Sequence, residues 1–125
     1  MKVLFSSDSV DVKNIEKNID IFVFNGNGNI DAYVDTDIDV CIFEKSNINN
    51  LYKLKKVRNA VSCGMELNDS VTFSSISEDT AVVCIRREIL LPNKVVYPCE
   101  FKAPFNNDLG LYMNLAVSLV DFLSL

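Results

Sequence analysis

Continuous apolar runs dominate the first half of the chain. The run at residues 19–25 is rich in Ile and Phe, and its length and composition are typical of a strand buried on both faces. Most of the runs are followed by small polar residues, asparagine or glycine, which form turns and end strands. The segments that this pattern predicts as strands are residues 2–7, 19–25, 38–44 and 58–63.

Helical spacing of apolar residues occurs between these runs. It predicts helices over residues 11–18 and 47–57, with Ser46 capping the second helix. Strands that alternate with helices predict a parallel sheet. We therefore expect an α/β domain that begins β-α-β-β-α-β, with a small Rossmann-like sheet in two or three layers.

Strands of another kind are predicted in the second half of the chain. Residues 70–77 alternate between apolar and polar, and residues 80–91 and 94–102 flank the turn Pro92-Asn93 as in a hairpin. Pro98 lacks a backbone donor, so the last strand is expected at a sheet edge or at a bulge. We expect these antiparallel strands to extend or flank the parallel sheet.

The last segment, residues 107–123, predicts a helix capped by Asn107 or Asp108. Asp121 is its only charged residue after position 108, and a helix that is apolar nearly all round should be buried nearly all round. We expect a second copy of the protein to cover the side that the sheet leaves open; cover by loops or helices of the same chain is the alternative. The predicted interface residues are Leu111, Leu115, Leu119 and Phe122.

Composition narrows the classes of function. The chain has 125 residues, which suits a single domain over residues 1–125. Its 12 basic and 17 acidic residues give a net charge of −5, which argues against binding nucleic acid. It contains no histidine, the commonest general base and neutral metal ligand, so we expect neither a metal nor a cofactor and favour a role other than catalysis.

The cysteines indicate a reducing compartment. Cys41, Cys63, Cys84 and Cys99 form no CxxC pair and lie within or beside apolar runs, which is typical of buried, reduced thiols. The first ten residues do not resemble a signal peptide, and the last helix is too short to span a bilayer. We therefore predict a cytoplasmic protein without membrane contact, and the abundance of Asn, Ile and Lys indicates a bacterial source.

Polar loops after the early strands are the candidate ligand site. The carboxyl ends of parallel strands lie at one edge of a sheet, where open α/β folds bind ligands. Backbone N–H groups and hydroxyls there could hold a small anion or a nucleotide, although strand ends need turn residues in any case, and no dinucleotide or P-loop motif is present. The candidate residues are Ser6, Ser7, Asp8, Ser9, Asn25, Gly26, Asn27, Ser62, Cys63 and Gly64.

The acidic segment at residues 35–39 is similar to the start of a calcium loop. Val40 stands where such a loop has its glycine, and Ser46 stands where it has its glutamate. A solvated acidic turn is the preferred interpretation. An enzyme that uses a metal at Asp35 and Asp37 is the weakest of the functional hypotheses.

Three short motifs resemble the second half of the central domain of Mur ligases, the ATP-dependent amide-forming enzymes of peptidoglycan synthesis. They are residues 34–37 before a strand, residues 61–64 at a strand end, and Asn114-Leu115-Ala116 on the last helix. The glycine-rich ATP loop with its lysine, the histidine and the following domain of that family are absent from this sequence. The resemblance implies a relative in fold without ligase activity.

These observations together favour a non-catalytic binding or interaction module that forms a homodimer through its last helix. The alternative is a protein that binds a nucleotide or a small anion with its strand-end loops.

Overall fold

The computed structural model describes residues 1–8, 17–26 and 30–125. Within these residues the chain forms nine strands and two α-helices, with short 3-10 turns at Ile30–Tyr33 and Lys45–Asn47. The strands are β1 Val3–Phe5, β2 Asn18–Val23, β3 Asp37–Phe43, β4 Val57–Ser62, β5 Val71–Ile76, β6 Thr80–Ile85, β7 Ile89–Leu90, β8 Val95–Val96 and β9 Cys99–Pro104. The helices are α1 Ile48–Leu51 and α2 Gly110–Leu123.

Strands β1 to β4 form a parallel sheet in the order in which they occur along the chain. In the register Ile21 pairs with Val40, and Val40 pairs with Asn59. The parallel sheet predicted from the sequence is thus confirmed, and the carboxyl ends of its strands share one edge. The described sheet has no reversal of strand order, the point at which doubly wound folds bind their ligands.

Strands β5, β6 and β9 form an antiparallel sheet in that order, and β7 pairs with β8 in a short hairpin around Pro92. A single bridge between Cys63 and Val71 connects the end of β4 to β5, so the two larger sheets meet there. The antiparallel second half is confirmed. β9 has a neighbour on one side only among the described strands, which agrees with the edge position that Pro98 predicts.

Each face of the parallel sheet carries its own apolar core. On one face α2 buries Leu115, Leu119 and Leu123 completely. On the other face Phe22 and Tyr33 meet edge to face with ring centroids 5.0 Å apart, in a core that also includes residues of the segments between the strands. α2 and the antiparallel strands therefore contribute to the core on one face of the parallel sheet, and the segments between the strands contribute to the core on the other.

The helix predicted over residues 47–57 is wrong in length, because α1 ends at Leu51. After it the chain forms a turn at Tyr52 and Lys53, and the Lys55 N–H donates to the carbonyl of Val34 at 3.2 Å. Asparagine stands at three positions between 47 and 50, and it has a weak helix propensity. α1 is therefore a single helical turn, and the chain rejoins the sheet with β4 at Val57.

The side-chain caps predicted for the two helices are also wrong, since neither helix has a capping hydrogen bond from a side chain. Ser46 lies inside the 3-10 turn before α1. The Asn107 amide donates to the carbonyl of Glu78 at 3.0 Å, and Asp108 lies in the turn before the helix. α2 begins at Gly110, so it is shorter than predicted.

The helix predicted over residues 11–18 lies almost wholly outside the described residues, as do Ser9 and Asn27. Asn18, its last residue, begins β2. Within the described part of the chain, no helix is long and apolar enough to cross a bilayer.

Candidate functional site

The carboxyl ends of β1 and β2 are joined by a network of polar side chains around Asn25. Its Oδ1 accepts from the Ser6 hydroxyl at 2.8 Å and from the Ser7 N–H at 2.9 Å, while its Nδ2 donates to the Ser7 hydroxyl at 2.8 Å. The Asn25 N–H donates in turn to the Ser6 hydroxyl oxygen at 2.9 Å. The structure brings Ser6, Ser7 and Asn25 together, as expected of adjacent parallel strands. Their polar groups bond to one another and so fix the two loops.

Replacing Asn25 with alanine is expected to lower the free energy of unfolding by about 1–3 kcal/mol, because three hydrogen bonds of its side chain are lost and the buried Ser6 hydroxyl loses a partner. Chemical denaturation followed by circular dichroism measures the change. Ser7→Ala is the control, since it removes the exposed member of the network and should cost less than about 1 kcal/mol. Equal losses in the two variants would contradict this account of Asn25.

Tyr112 of α2 lies at the ends of β2 and β3. Its hydroxyl is within hydrogen-bond distance of the carbonyls of Phe24 and Ile42, at 3.2 Å from the second. Burial raises the pKa of Tyr112, and the neighbouring thiol of Cys63 adds to the shift. The Tyr112 hydroxyl thus contacts the ends of two neighbouring strands. In the sheet, β3 separates β2, which precedes Asn25, from β4, which precedes the next loop.

The candidate residues at the end of β4 form hydrogen bonds or packing contacts with other residues of the same chain. The Ser62 hydroxyl accepts from the Ser70 N–H at 3.0 Å. Cys63 has no exposed surface, and burial raises the pKa of its thiol. Gly64 has no room for a side chain, because a Cβ there would lie 2.5 Å from Oδ2 of Asp69. Ser62 therefore forms a hydrogen bond within the chain, and Cys63 and Gly64 are closely packed.

The remaining members of the predicted rim are loop residues. The Asp8 carboxylate accepts from the N–H of Phe5 at 2.9 Å and closes the turn after β1. Gly26 has a φ of +99°, a conformation that favours glycine, at the turn after β2. Ser9 and Asn27 are the two candidates outside the described residues.

The loop between β4 and β5 contains a buried carboxylate that the sequence analysis missed. Asp69 is only 3% exposed, and its Oδ2 accepts from the Glu66 N–H at 2.9 Å. Lys45 Nζ lies 3.7 Å from Oδ1, which has no hydrogen-bond partner in the described part of the chain. Arg86 donates to the carbonyls of Glu66 and Leu67 at 3.0 and 2.7 Å. These charged groups meet from separate parts of the chain, so no local pattern marks them.

One of the acidic residues near the start of β3 forms an ion pair. Asp39 lies 3.9 Å from the Arg58 guanidinium. Burial raises the pKa of Asp39; Arg58 opposes this, and the nearby carboxylates of Asp20 and Asp37 add to it. Over residues 1–8, 17–26 and 30–125, no three His, Cys, Asp or Glu side chains form a group that could hold a metal ion.

The predicted interface residues of α2 do not share one environment. Leu115 and Leu119 have no exposed surface and pack in the core of their own chain, so this part of the prediction is corrected. Leu111 is 45% exposed, and Phe122 is half-buried. The sequence could not separate these residues because apolar side chains occur all round the helix.

A groove of about 300 Å³ runs between α2 and β9. Two of its lining residues, Phe101 and Phe122, stack their rings with centroids 4.1 Å apart and an angle of 9° between their planes. Leu125, at one side of the groove, is 89% exposed. The lining residues are Phe101, Lys102, Ala103, Pro104, Ser118, Asp121, Phe122 and Leu125.

The outer edge of β9 has backbone groups that no other described residue pairs with. The Phe105 N–H donates to the carbonyl of Asp79 at 2.9 Å, next to the ladder that pairs β9 with β6. Backbone groups in an antiparallel ladder alternate in direction, so Phe101 also bonds towards β6, while Glu100 and Lys102 direct theirs away from it. No described strand lies on that side. Within the described part of the chain, an edge whose donors and acceptors have no partner therefore lies beside the groove.

Comparisons with protein-family models, with curated proteins and with solved structures each give no match. The resemblance to Mur ligases stays a prediction. Asn114, from the third of its motifs, has a structural task in this chain: its Oδ1 accepts from the Asn106 N–H at 2.8 Å and its Nδ2 donates to the Gly110 carbonyl at 2.7 Å. These bonds fix the start of α2.

Proposed function

We propose that this protein is a non-catalytic interaction module that forms a homodimer, and that its binding face is the groove between α2 and β9 together with the free edge of β9. One observation carries the proposal: backbone donors and acceptors without a partner among the described residues lie beside the apolar side chains that line the groove. A partner that adds a strand to the edge satisfies the backbone groups and covers the groove in the same step.

This face replaces the outer side of α2 as the centre of the interface. Leu115 and Leu119 have no surface to offer, whereas Phe122 and Leu125 border the groove. A stable interface buries roughly 1,200 Å² or more in total, which exceeds what a pair of short strands can cover. The apolar residues of the groove supply the additional contact.

Ligand binding by the strand-end loops is the weaker candidate. The hydrogen-bonding groups of Asn25 and Ser7 are engaged with each other, and the Ser62 hydroxyl already accepts from Ser70. An anion that used these groups would have to displace existing bonds. Burial also keeps the Cys63 thiol away from any ligand.

The proposal predicts that Lys102→Pro abolishes the dimer without unfolding the chain. Proline removes the N–H of residue 102, which points away from β6, and its ring blocks the approach of another strand. Size-exclusion chromatography with light scattering over a range of concentrations measures the mass. We expect a dimer for the unaltered chain and a monomer for Lys102→Pro. At a concentration low enough for both proteins to be monomeric, their melting temperatures are expected to be similar.

Lys102→Thr is the matched control, because it removes the charge and keeps both the backbone donor and the preference for a strand. It is expected to remain largely dimeric. A strictly monomeric unaltered chain at high concentration would contradict the proposed function. A Lys102→Pro variant that stays dimeric and folded would place the interface elsewhere.

A further inference from the structure

The sequence around the free edge of β9 is symmetric about Phe101. Glu100 precedes this residue and Lys102 follows it, so opposite charges stand at equal distances on its two sides. Pro98 and Pro104 stand at equal distances farther out. A segment with this pattern is complementary to itself when two copies run antiparallel, as strands related by a two-fold axis do.

The direction of the backbone groups fits the same axis. Glu100 and Lys102 are the residues of β9 whose N–H and C=O groups point away from β6, as derived from the ladder. If Phe101 lies on the axis, Glu100 of one copy stands opposite Lys102 of the other, and each such pair exchanges both of its backbone hydrogen bonds. Pro98 would face Pro104 of the other copy, and because neither has an N–H, the ladder ends there.

We propose that the partner at this face is a second copy whose β9 pairs antiparallel with the first, with Phe101 on the two-fold axis and Glu100 opposite Lys102. This register rests on the proposed function, because it requires a homodimer at the groove. It joins the two antiparallel sheets into one continuous sheet. The opposite charges form cross-strand pairs, which favour this register over shifted ones.

The aromatic rings of the groove give the axis an apolar centre. Phe101 stacks on Phe122 in each chain, with ring centroids 4.1 Å apart. In the proposed register the two copies of Phe101 are a directly opposed pair without mutual backbone bonds, the closer of the two kinds of pair in an antiparallel ladder. The rings of both chains then form one cluster on the α2 side of the joined sheet, and the charged pairs lie on the other side.

Charge reversal tests the register. Glu100→Lys places like charges opposite each other twice in the symmetric dimer, and Lys102→Glu does the same with the opposite sign. Each single variant is expected to raise the dimer dissociation constant about tenfold, from two unfavourable cross-strand pairs. The double variant Glu100→Lys/Lys102→Glu restores the opposite charges and is expected to return the constant to within about twofold of the unaltered chain. Sedimentation equilibrium at low ionic strength measures all four.

The outcomes separate the register from the function. If the unaltered chain is a dimer and the double variant is as weak as the single variants, the charges do not face each other and the register is overturned, while the homodimer stands. The register is also overturned if the single variants dimerise like the unaltered chain. If the unaltered chain stays monomeric, the proposed function itself is overturned. Mixing the two single variants provides a further check, because both lysines of the Glu100→Lys chain then lie opposite glutamates of the Lys102→Glu chain. Their heterodimer is expected to form with a dissociation constant close to that of the unaltered chain, and a mixture that dimerises as weakly as each variant alone would overturn the register.

Discussion

Leu119→Ala is expected to lower the free energy of unfolding by about 2–5 kcal/mol. The side chain has no exposed surface and lies in the core between α2 and the sheets, so its removal leaves a cavity that the neighbouring side chains fill only in part. A loss of this size is a large share of the roughly 5–15 kcal/mol that stabilises a typical domain. Urea or guanidinium denaturation measures it directly.

Leu111→Ala is the matched control, because it removes the same atoms from the same helix. Leu111 is 45% exposed, so the expected loss is below about 1 kcal/mol. The comparison should be made at a concentration where the dimer does not form, so that only the fold of one chain is measured. Similar losses at the two positions, or a larger loss at Leu111, would contradict the orientation of α2.

The orientation of α2 shows where the sequence stops being informative. Its apolar residues occur all round the helix, and a pattern of this kind predicts burial without indicating which face lies against the sheet. The direction is set by contacts with residues distant in the chain, such as the Tyr112 hydroxyl at the carbonyl of Ile42 and the ring of Phe101 on Phe122. Hydropathy carried no information on these pairings.

The strands were predicted more closely than the helices for a physical reason. A run such as residues 19–25 is apolar on both faces, and a strand in the middle of a covered parallel sheet needs that pattern. α1 depends instead on where the chain has to rejoin the sheet, as the bond from the Ile38 N–H to the Lys56 carbonyl shows. The helix that helical spacing predicted there is therefore shortened by pairing with distant residues.

The candidate site was predictable in part. Ser6 and Asn25 come together because the ends of neighbouring parallel strands are neighbours in space, which follows from the strand pattern. The charged loop around Asp69 was missed, since Lys45 and Arg86 reach it from other elements. The symmetry of the β9 segment is visible in the sequence, but it becomes meaningful only once β9 is known to be an edge strand with Glu100 and Lys102 directed outward.

Alkaline pH is expected to destabilise the protein steeply, starting near pH 9, because buried groups must stay protonated in the folded state. Burial raises the pKa of Cys41 to about 12 and raises those of Cys63 and Tyr112 as well. In the unfolded chain the thiols ionise near pH 8.5–9 and tyrosine near pH 10. Between these values and the folded pKa, the unfolded state binds fewer protons than the folded state, so stability falls as pH rises.

The size of the effect follows from the number of groups. Each raised group contributes a slope of about 1.4 kcal/mol per pH unit between its unfolded and folded pKa. Two thiols, from about pH 9, and one phenol, from about pH 10, would then remove about 6–7 kcal/mol by pH 11, which is comparable to the whole stability of a small domain. Denaturant midpoints measured across this range, with a phosphine reductant present to prevent oxidation, give the slope.

Cys63→Ala is the decisive variant, since it removes one titrating group from the buried set. The variant is less stable at pH 7 because of the lost packing, but its stability should fall with pH by about 1.4 kcal/mol per unit less than that of the unaltered chain. Val61→Ala is the matched control: Val61 is also buried, at 3% exposure, and does not titrate, so this variant loses stability by the same amount at every pH. An unchanged slope in Cys63→Ala would show that the folded protein does not hold this thiol protonated.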